Sequence, residues 1–96
     1  MNIGKAVMVL RKGCGFTQKE LAEKCELSAN AMCSIENGLS FPSRDTIEKI
    51  CNALSIPVSY LLFFSISEED VPEEKREAFR ILNEPLKAIL MPNPQK

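Results

Sequence analysis

The sequence contains no histidine and no tryptophan, one tyrosine, and only four glycines in 96 residues. Without histidine, the commonest general base and metal ligand is missing. The four cysteines stand at 14, 25, 33 and 51, so no two have the C-x-x-C spacing that zinc sites and redox motifs favour. They are expected to be free thiols in a reducing compartment. Thiol catalysis without a histidine base is a poor fit, so the expectation is a non-enzyme with no metal and no cofactor. Long apolar runs are absent as well. Tyr60 to Phe64, which no other run exceeds, falls far below the ~20 residues needed to cross a bilayer. The apolar stretch from Ala6 to Leu10 is short, and no small-residue cleavage site follows it. A cytoplasmic protein without a membrane partner is expected.

Charge of one sign is also lacking. Twelve Lys and Arg against thirteen Asp and Glu leave a net charge of −1, so bulk electrostatics gives no support to a nucleic-acid partner. The distribution is uneven. Residues 1–64 carry seven basic against six acidic side chains, a balance of +1, whereas residues 65–96 carry five against seven, a balance of −2. The acidic excess begins at Glu68, Glu69 and Asp70. With 45% apolar residues and a mean hydropathy of −0.08, the chain has the composition of one small globular domain with a short appendage.

The apolar positions repeat with a helical period and never alternate as a strand would, which predicts an all-α fold. Ile3, Val7 and Leu10 make one stripe, and Gly13-Cys14-Gly15 is expected to end that helix and leave Cys14 in a loop. Thr17 and Glu20 form a capping box, and Phe16 and Leu21 a hydrophobic staple, so a second helix starts at Gln18. Ser28 caps a third helix containing Met32 and Ile35, and Asn37-Gly38 closes it. Pro42-Ser43 opens a fourth helix with Ile47, Ile50, Cys51 and Leu54 inside, where Cys51, like Cys25, fills the core. Pro57 is placed in the first turn of a fifth helix reaching about Phe64. A sixth is expected from Pro72-Glu73-Glu74, with Pro85 kinking or splitting it and residues 92–96 frayed.

The segment from Thr17-Gln18-Lys19-Glu20-Leu21-Ala22 through Ile35-Glu36-Asn37-Gly38, then Pro42 and Ala53-Leu54, resembles the Cro and phage-repressor helix-turn-helix family, also called the xenobiotic-response-element family. The resemblance covers roughly residues 2–64. It implies a five-helix lambda-repressor-like DNA-binding domain whose third helix, Ser28 to Glu36, enters the major groove. It further implies that Gln18 binds a phosphate, that Ser28, Ala29, Asn30 and Ser34 lie on the recognition surface, and that Arg11 and Glu36 form a buried ion pair. Glu26 departs from the pattern, standing where the family usually has a turn glycine; in a left-handed conformation it costs about 1 kcal/mol or somewhat more.

The residue chemistry is compatible with these roles. Asn30 can pair with both N6 and N7 of adenine, although a solvated polar residue is the plain alternative. Ala29 and Ala31 offer apolar partners to thymine methyl groups, and Ser34 completes the base-reading set. Gln18, Lys19, Ser28, Asn37, Ser40 and Ser43 lie at helix ends or in loops, where they can meet phosphate oxygens; Ser28 is read first as a cap. Cys33 lies on the recognition helix, where a thiol could sense oxidants, but a structural role is the simpler reading.

The division expected is a DNA-binding domain over 1–66 and a C-terminal helical extension over 67–96. Five consecutive apolar residues on one short helix cannot all face their own core, so Leu62, Phe63 and Phe64 are candidates for dimerisation. Phe79, Leu82, Leu86 and Ile89 form a second stripe, packed either back onto the fifth helix or across a two-fold axis. A homodimer would set two recognition helices about 34 Å apart on one face of double-stranded DNA. The function expected is a sequence-specific transcriptional regulator of repressor type. The alternative is an antitoxin-like or adaptor protein whose acidic tail holds a protein partner.

Overall fold

A computed structural model describes residues 1–95; Lys96, the last of the residues expected to fray, lies outside them. The described residues form six α-helices, two 3-10 turns and no strand. The helices are α1 Ile3–Cys14, α2 Gln18–Lys24, α3 Ala29–Glu36, α4 Arg44–Leu54, α5 Val58–Ser65 and α6 Arg76–Leu90. The 3-10 turns, Glu68–Asp70 and Glu73–Lys75, lie between α5 and α6. No single helix among the described residues is long and apolar enough to cross a membrane.

Side-chain caps fix the helix starts by satisfying amides that have no partner within the helix. Asn2 accepts from the Lys5 amide at 3.0 Å. Thr17 accepts from the Glu20 amide at 3.1 Å while the Glu20 carboxylate takes the Thr17 amide at 2.8 Å, closing the expected capping box. Ser28 and Ser43 cap α3 and α4 in the same way, at 3.0 and 3.2 Å. Pro57, expected inside the first turn of α5, stands one position earlier as its N-cap, with extended ψ 155°. Cys14 is not in a loop. Helix α1 runs through it to Gly15, whose left-handed φ of 86° ends the helix, and the thiol is fully buried.

The core gathers around α1. Val7 and Leu10 meet Leu21 and Met32 from α2 and α3 and Ile50, Leu54 and Leu61 from α4 and α5, all of them without solvent exposure. Burying each such Leu or Met contributes about 1.5–3 kcal/mol. Cys14, Cys25 and Cys51 fill the gaps. Burial raises all three thiol pKa values, that of Cys51 to about 11, so they remain protonated fillers at neutral pH. Phe64 also belongs to this core, with its ring edge-on to Phe63 at 5.8 Å. That removes Phe64 from the candidates for a dimer surface. The apolar run on α5 is thus divided, with Leu61 and Phe64 inside, Phe63 half-buried and Leu62 outside.

The C-terminal segment differs most from expectation. Helix α6 begins at Arg76, after the second 3-10 turn, where Arg76 Nε donates to the Glu68 and Val71 carbonyls at 3.1 and 3.0 Å. Pro85 does not split it: residues 76–90 form one helix, and an exposed Pro85 leaves the unpaired carbonyl of the preceding turn near water. Of the stripe Phe79, Leu82, Leu86 and Ile89, only Phe79 turns toward the body, which removes it from the dimer candidates, and the other three face outward. Arg76, Phe79, Asn83, Lys87 and Leu90 are the half-buried positions, while Leu82 and Ile89 are 64% and 78% exposed. Residues 92–95 do not fray freely either, because the Gln95 amide donates to the Cys14 carbonyl at 2.9 Å and its side chain to the Leu54 carbonyl at 2.6 Å.

Two backbone positions set the crossing angles. A Cβ on Gly4 would collide with the Ile35 carbonyl oxygen, so α1 crosses α3 there only because the side chain is absent. Glu26 has φ +58° between α2 and α3, the left-handed conformation anticipated from its place in the turn. The two sites make opposite predictions in thermal or urea melts. Gly4→Ala should lose about 2 kcal/mol or more through overpacking. Glu26→Gly should gain about 0.5–1 kcal/mol, the left-handed penalty less the extra entropy of an unfolded glycine.

Candidate nucleic-acid interface

Helices α2 and α3 are joined by residues 25–28. In this turn the Leu27 amide donates to the Ala22 carbonyl at 2.8 Å, and Ala22 is buried where a larger side chain would push the helices apart. Helix α3 buries Met32, Ile35 and Glu36 and turns its other side outward. Ala29 and Asn30 are exposed in its first turn, and Ala31, Cys33 and Ser34 are half-buried. Helix α3 contains no lysine or arginine, so any anion it meets faces amide, hydroxyl and methyl groups.

Beneath this face lies the ion pair expected between Arg11 and Glu36. Arg11 Nε donates to Glu36 Oε2 at 2.8 Å and its Nη2 to Oε1 at 3.0 Å, a bidentate arrangement. The third contact, from Nη1 to the Phe16 carbonyl at 2.9 Å, ties the pair to the loop before α2. Exposure of the two side chains is 10% and 2%, so both charges are removed from water and matched to each other. Gln18 Nε2 also donates to Glu36 Oε1, at 3.2 Å. The side chain expected at a phosphate is therefore half-buried and held by the same carboxylate.

The remaining expected residues fall into two groups. Lys19, Ser28, Asn37, Ser40 and Ser43 are exposed at helix ends or in loops. Ser43 Oγ, however, already bonds Thr46 Oγ1 at 3.0 Å, and Asn37 Nδ2 donates to Cys33 Sγ at 3.3 Å. The Asn30 side chain makes no hydrogen bond among the described residues. Composition reasoning passed over three neighbours. Leu39 and Phe41 are 79% and 74% exposed in the loop after α3, and the Leu39 and Ser40 amides both donate to the Ser34 carbonyl, at 2.9 and 3.3 Å. Two large apolar side chains between Gly38 and Pro42 were the available signal. Arg44 projects fully from the first turn of α4, 3.5 Å from Glu48. No group of three or more Cys, Asp or Glu among the described residues is arranged to hold a metal ion.

Two short helices crossing at a tight turn, with one held underneath by a buried ion pair and its far face open, define a helix-turn-helix unit. The chain belongs to the helix-turn-helix family of Cro and phage-repressor type, which it matches over residues 7–61. It is similar to the HTH-type transcriptional regulator ImmR of Bacillus subtilis, 36% identical over 62 residues, covering 65% of this chain and 49% of that protein. The immunity repressor protein of Bacillus phage phi105 is 33% identical over 79 residues, covering 82% of this chain and 52% of the phage protein. The competence pilus inhibition repressor of Acinetobacter baylyi is 34% identical over 65 residues, covering 68% of this chain and 59% of that repressor. The chain thus spans about half the length of the curated relatives it matches.

The buried pair carries a stability prediction. Arg11→Ala or Glu36→Ala leaves an unmatched buried charge and should cost roughly 3–5 kcal/mol. Replacing both with apolar residues of similar volume should cost clearly less than the two single losses added together. Urea melts of the four proteins in a double-mutant cycle measure the difference, and a near-neutral Glu36→Ala would mean the pair is not structural.

Proposed function

We propose that this chain is the DNA-binding unit of a sequence-specific transcriptional regulator of repressor type, acting in the cytoplasm as a homodimer. Residues 1–66 read DNA and residues 67–96 pair the subunits. The observation that carries the reading is the free outer face of α3, where Asn30 stands exposed and unpaired while Glu36 is locked beneath it. The repressor names of the relatives point the same way.

In this reading α3 lies in the major groove. Asn30 pairs with one base, Ala29 and Ala31 meet methyl groups, and Ser34 contributes a hydroxyl near the C-terminal end of the helix. Gln18, Lys19, Ser28, Asn37, Ser40 and Ser43 meet the phosphates on either side. Gln18 reaches a phosphate through the amide atoms that its bond to Glu36 leaves free. Because α3 carries no cation, sequence is read by neutral hydrogen-bond donors and acceptors, and charge enters at the rim, through Lys19 and the exposed Arg44 beside Ser43.

Sites selected from random DNA provide the test. Asn30→Ala should relax preference at a single base pair, whereas Gln18→Ala should weaken all selected sites about equally, and Lys19→Ala should lower the salt slope by about one. An unchanged selected sequence for Asn30→Ala would show that α3 is placed in the wrong register.

The dimer is assigned to the outward side of α6. Leu82, Leu86 and Ile89 form an exposed apolar row, extended on its flank by Ile81, and exposed Leu62 on α5 adds apolar surface. Such a row is unfavourable in water and is relieved when a second copy covers it about a two-fold axis. Leu82→Glu combined with Ile89→Glu should convert the full chain from dimer to monomer in light scattering at micromolar concentration, without lowering the melting temperature of the monomer. A wild-type chain that stays monomeric on its DNA would reject the dimer.

A further inference from the structure

Helix α6 does not lie flush against the body. Between it and the groove formed by α1 and the end of α5 is a cavity of about 600 Å³, within the range of small-molecule sites, about 300–1,000 Å³. Its walls are mainly apolar, with Ala6 and Val9 on α1, Phe64 on α5, and Phe79, Ala88 and Met91 on the C-terminal segment. Among the polar side chains that also line it, three bear on what it could hold: Lys5, Asn83 and Lys87.

These three do not satisfy one another. Asn83 Oδ1 is buried with no hydrogen-bond partner among the described residues, and a buried acceptor without a donor is uncommon in folded proteins. Lys87 Nζ donates to the Phe64 and Ile66 carbonyls at 3.4 and 3.3 Å, which engages two of its three protons. Its pKa is lowered, chiefly by burial and to a lesser degree by Lys5, with Glu84 opposing. The ion pair of Arg80 with Glu68, 2.9 Å apart, is internally neutral. Lys5 and Lys87 then face Glu84 alone, which leaves one positive charge in excess. A single anionic group is the complement.

We propose that this cavity binds a small apolar monocarboxylate that carries an N–H donor beside its acid group, the chemistry of an N-acylated apolar amino acid. The carboxylate takes the third proton of Lys87, the N–H satisfies Asn83 Oδ1, and the apolar side chain fills the space between Phe64 and Phe79. The assignment does not depend on DNA binding.

The test is a titration of the ¹⁵N-labelled full chain with N-acetyl-L-phenylalanine, followed by NMR. Saturable shifts are expected at Phe64, Asn83 and Lys87 and not at α3. The uncharged N-acetyl-L-phenylalaninamide should bind about tenfold more weakly or worse, because it lacks the charge-assisted bond. Methylating the ligand nitrogen should also weaken binding by removing the donor to Asn83. Lys87→Met should reduce the acid to the affinity of the amide; should that variant fail to fold, the comparison of the two ligands on the unaltered protein decides. Equal affinities for acid and amide, shifts centred outside the cavity, or no saturable binding at millimolar concentration would each overturn the proposal.

Discussion

An arginine and a glutamate buried together oblige everything around them to be well placed. Removing two charges from water is unfavourable by several kcal/mol per ion, and the interior offsets that only when the geometry is good and the leftover protons and lone pairs are used. Here the bidentate contact of Arg11 with Glu36 is completed by the Phe16 carbonyl and by Gln18. Those four residues come from α1, the loop before α2, the start of α2 and the end of α3. One interaction therefore fixes the position of α3 relative to two other helices, and it does so at the end of α3 away from Asn30. An apolar patch in the same place would bind the helices without specifying their rotation. Directional bonds specify both.

The tightness of this arrangement explains two backbone details. Gly4 lets α1 approach the Ile35 carbonyl, one residue from Glu36, so the close crossing and the ion pair occupy the same last turn of α3. Glu26 accepts a left-handed conformation because the turn between α2 and α3 must bring Leu27 back to the Ala22 carbonyl. Its conformational penalty is small beside the burial of Leu21 and Met32, which depends on the same crossing.

What the sequence made legible was local. The capping box, the serine caps, the staple and the helical periods are set within a few residues, so the starts of α2, α3 and α4 and the inward positions 21, 32, 35, 50 and 54 could be read directly. The Arg11–Glu36 pair was legible only through resemblance, since nothing local links residues 25 positions apart. Helix α6 shows the limit from the other side. Its apolar stripe was visible, but an amphipathic helix at the end of a small domain can turn its apolar face toward its own body or away from it, and periodicity is the same in both cases. Here Arg76 and Lys87 decide the matter by donating to carbonyls at the end of α5 and in the 3-10 turns. Carbonyls left over at an element's end are a property of the folded backbone and leave no mark on the sequence of α6. The same holds for Gln95, which finds the carbonyls ending α1 and α4.

The charge distribution follows a related logic. With α3 free of cations, the surface proposed to enter the groove contributes little to the attraction that any polyanion would feel, and the segment 65–96 carries net negative charge. Non-specific affinity for DNA comes almost wholly from phosphate neutralisation. A protein of net charge −1 therefore begins with weak non-specific binding, and each correct base contact raises the ratio of specific to non-specific affinity from a low floor. Occupancy then depends on having more such contacts than one short helix provides. That requirement, together with an apolar row left uncovered on α6, is what the proposed pairing of two subunits would meet.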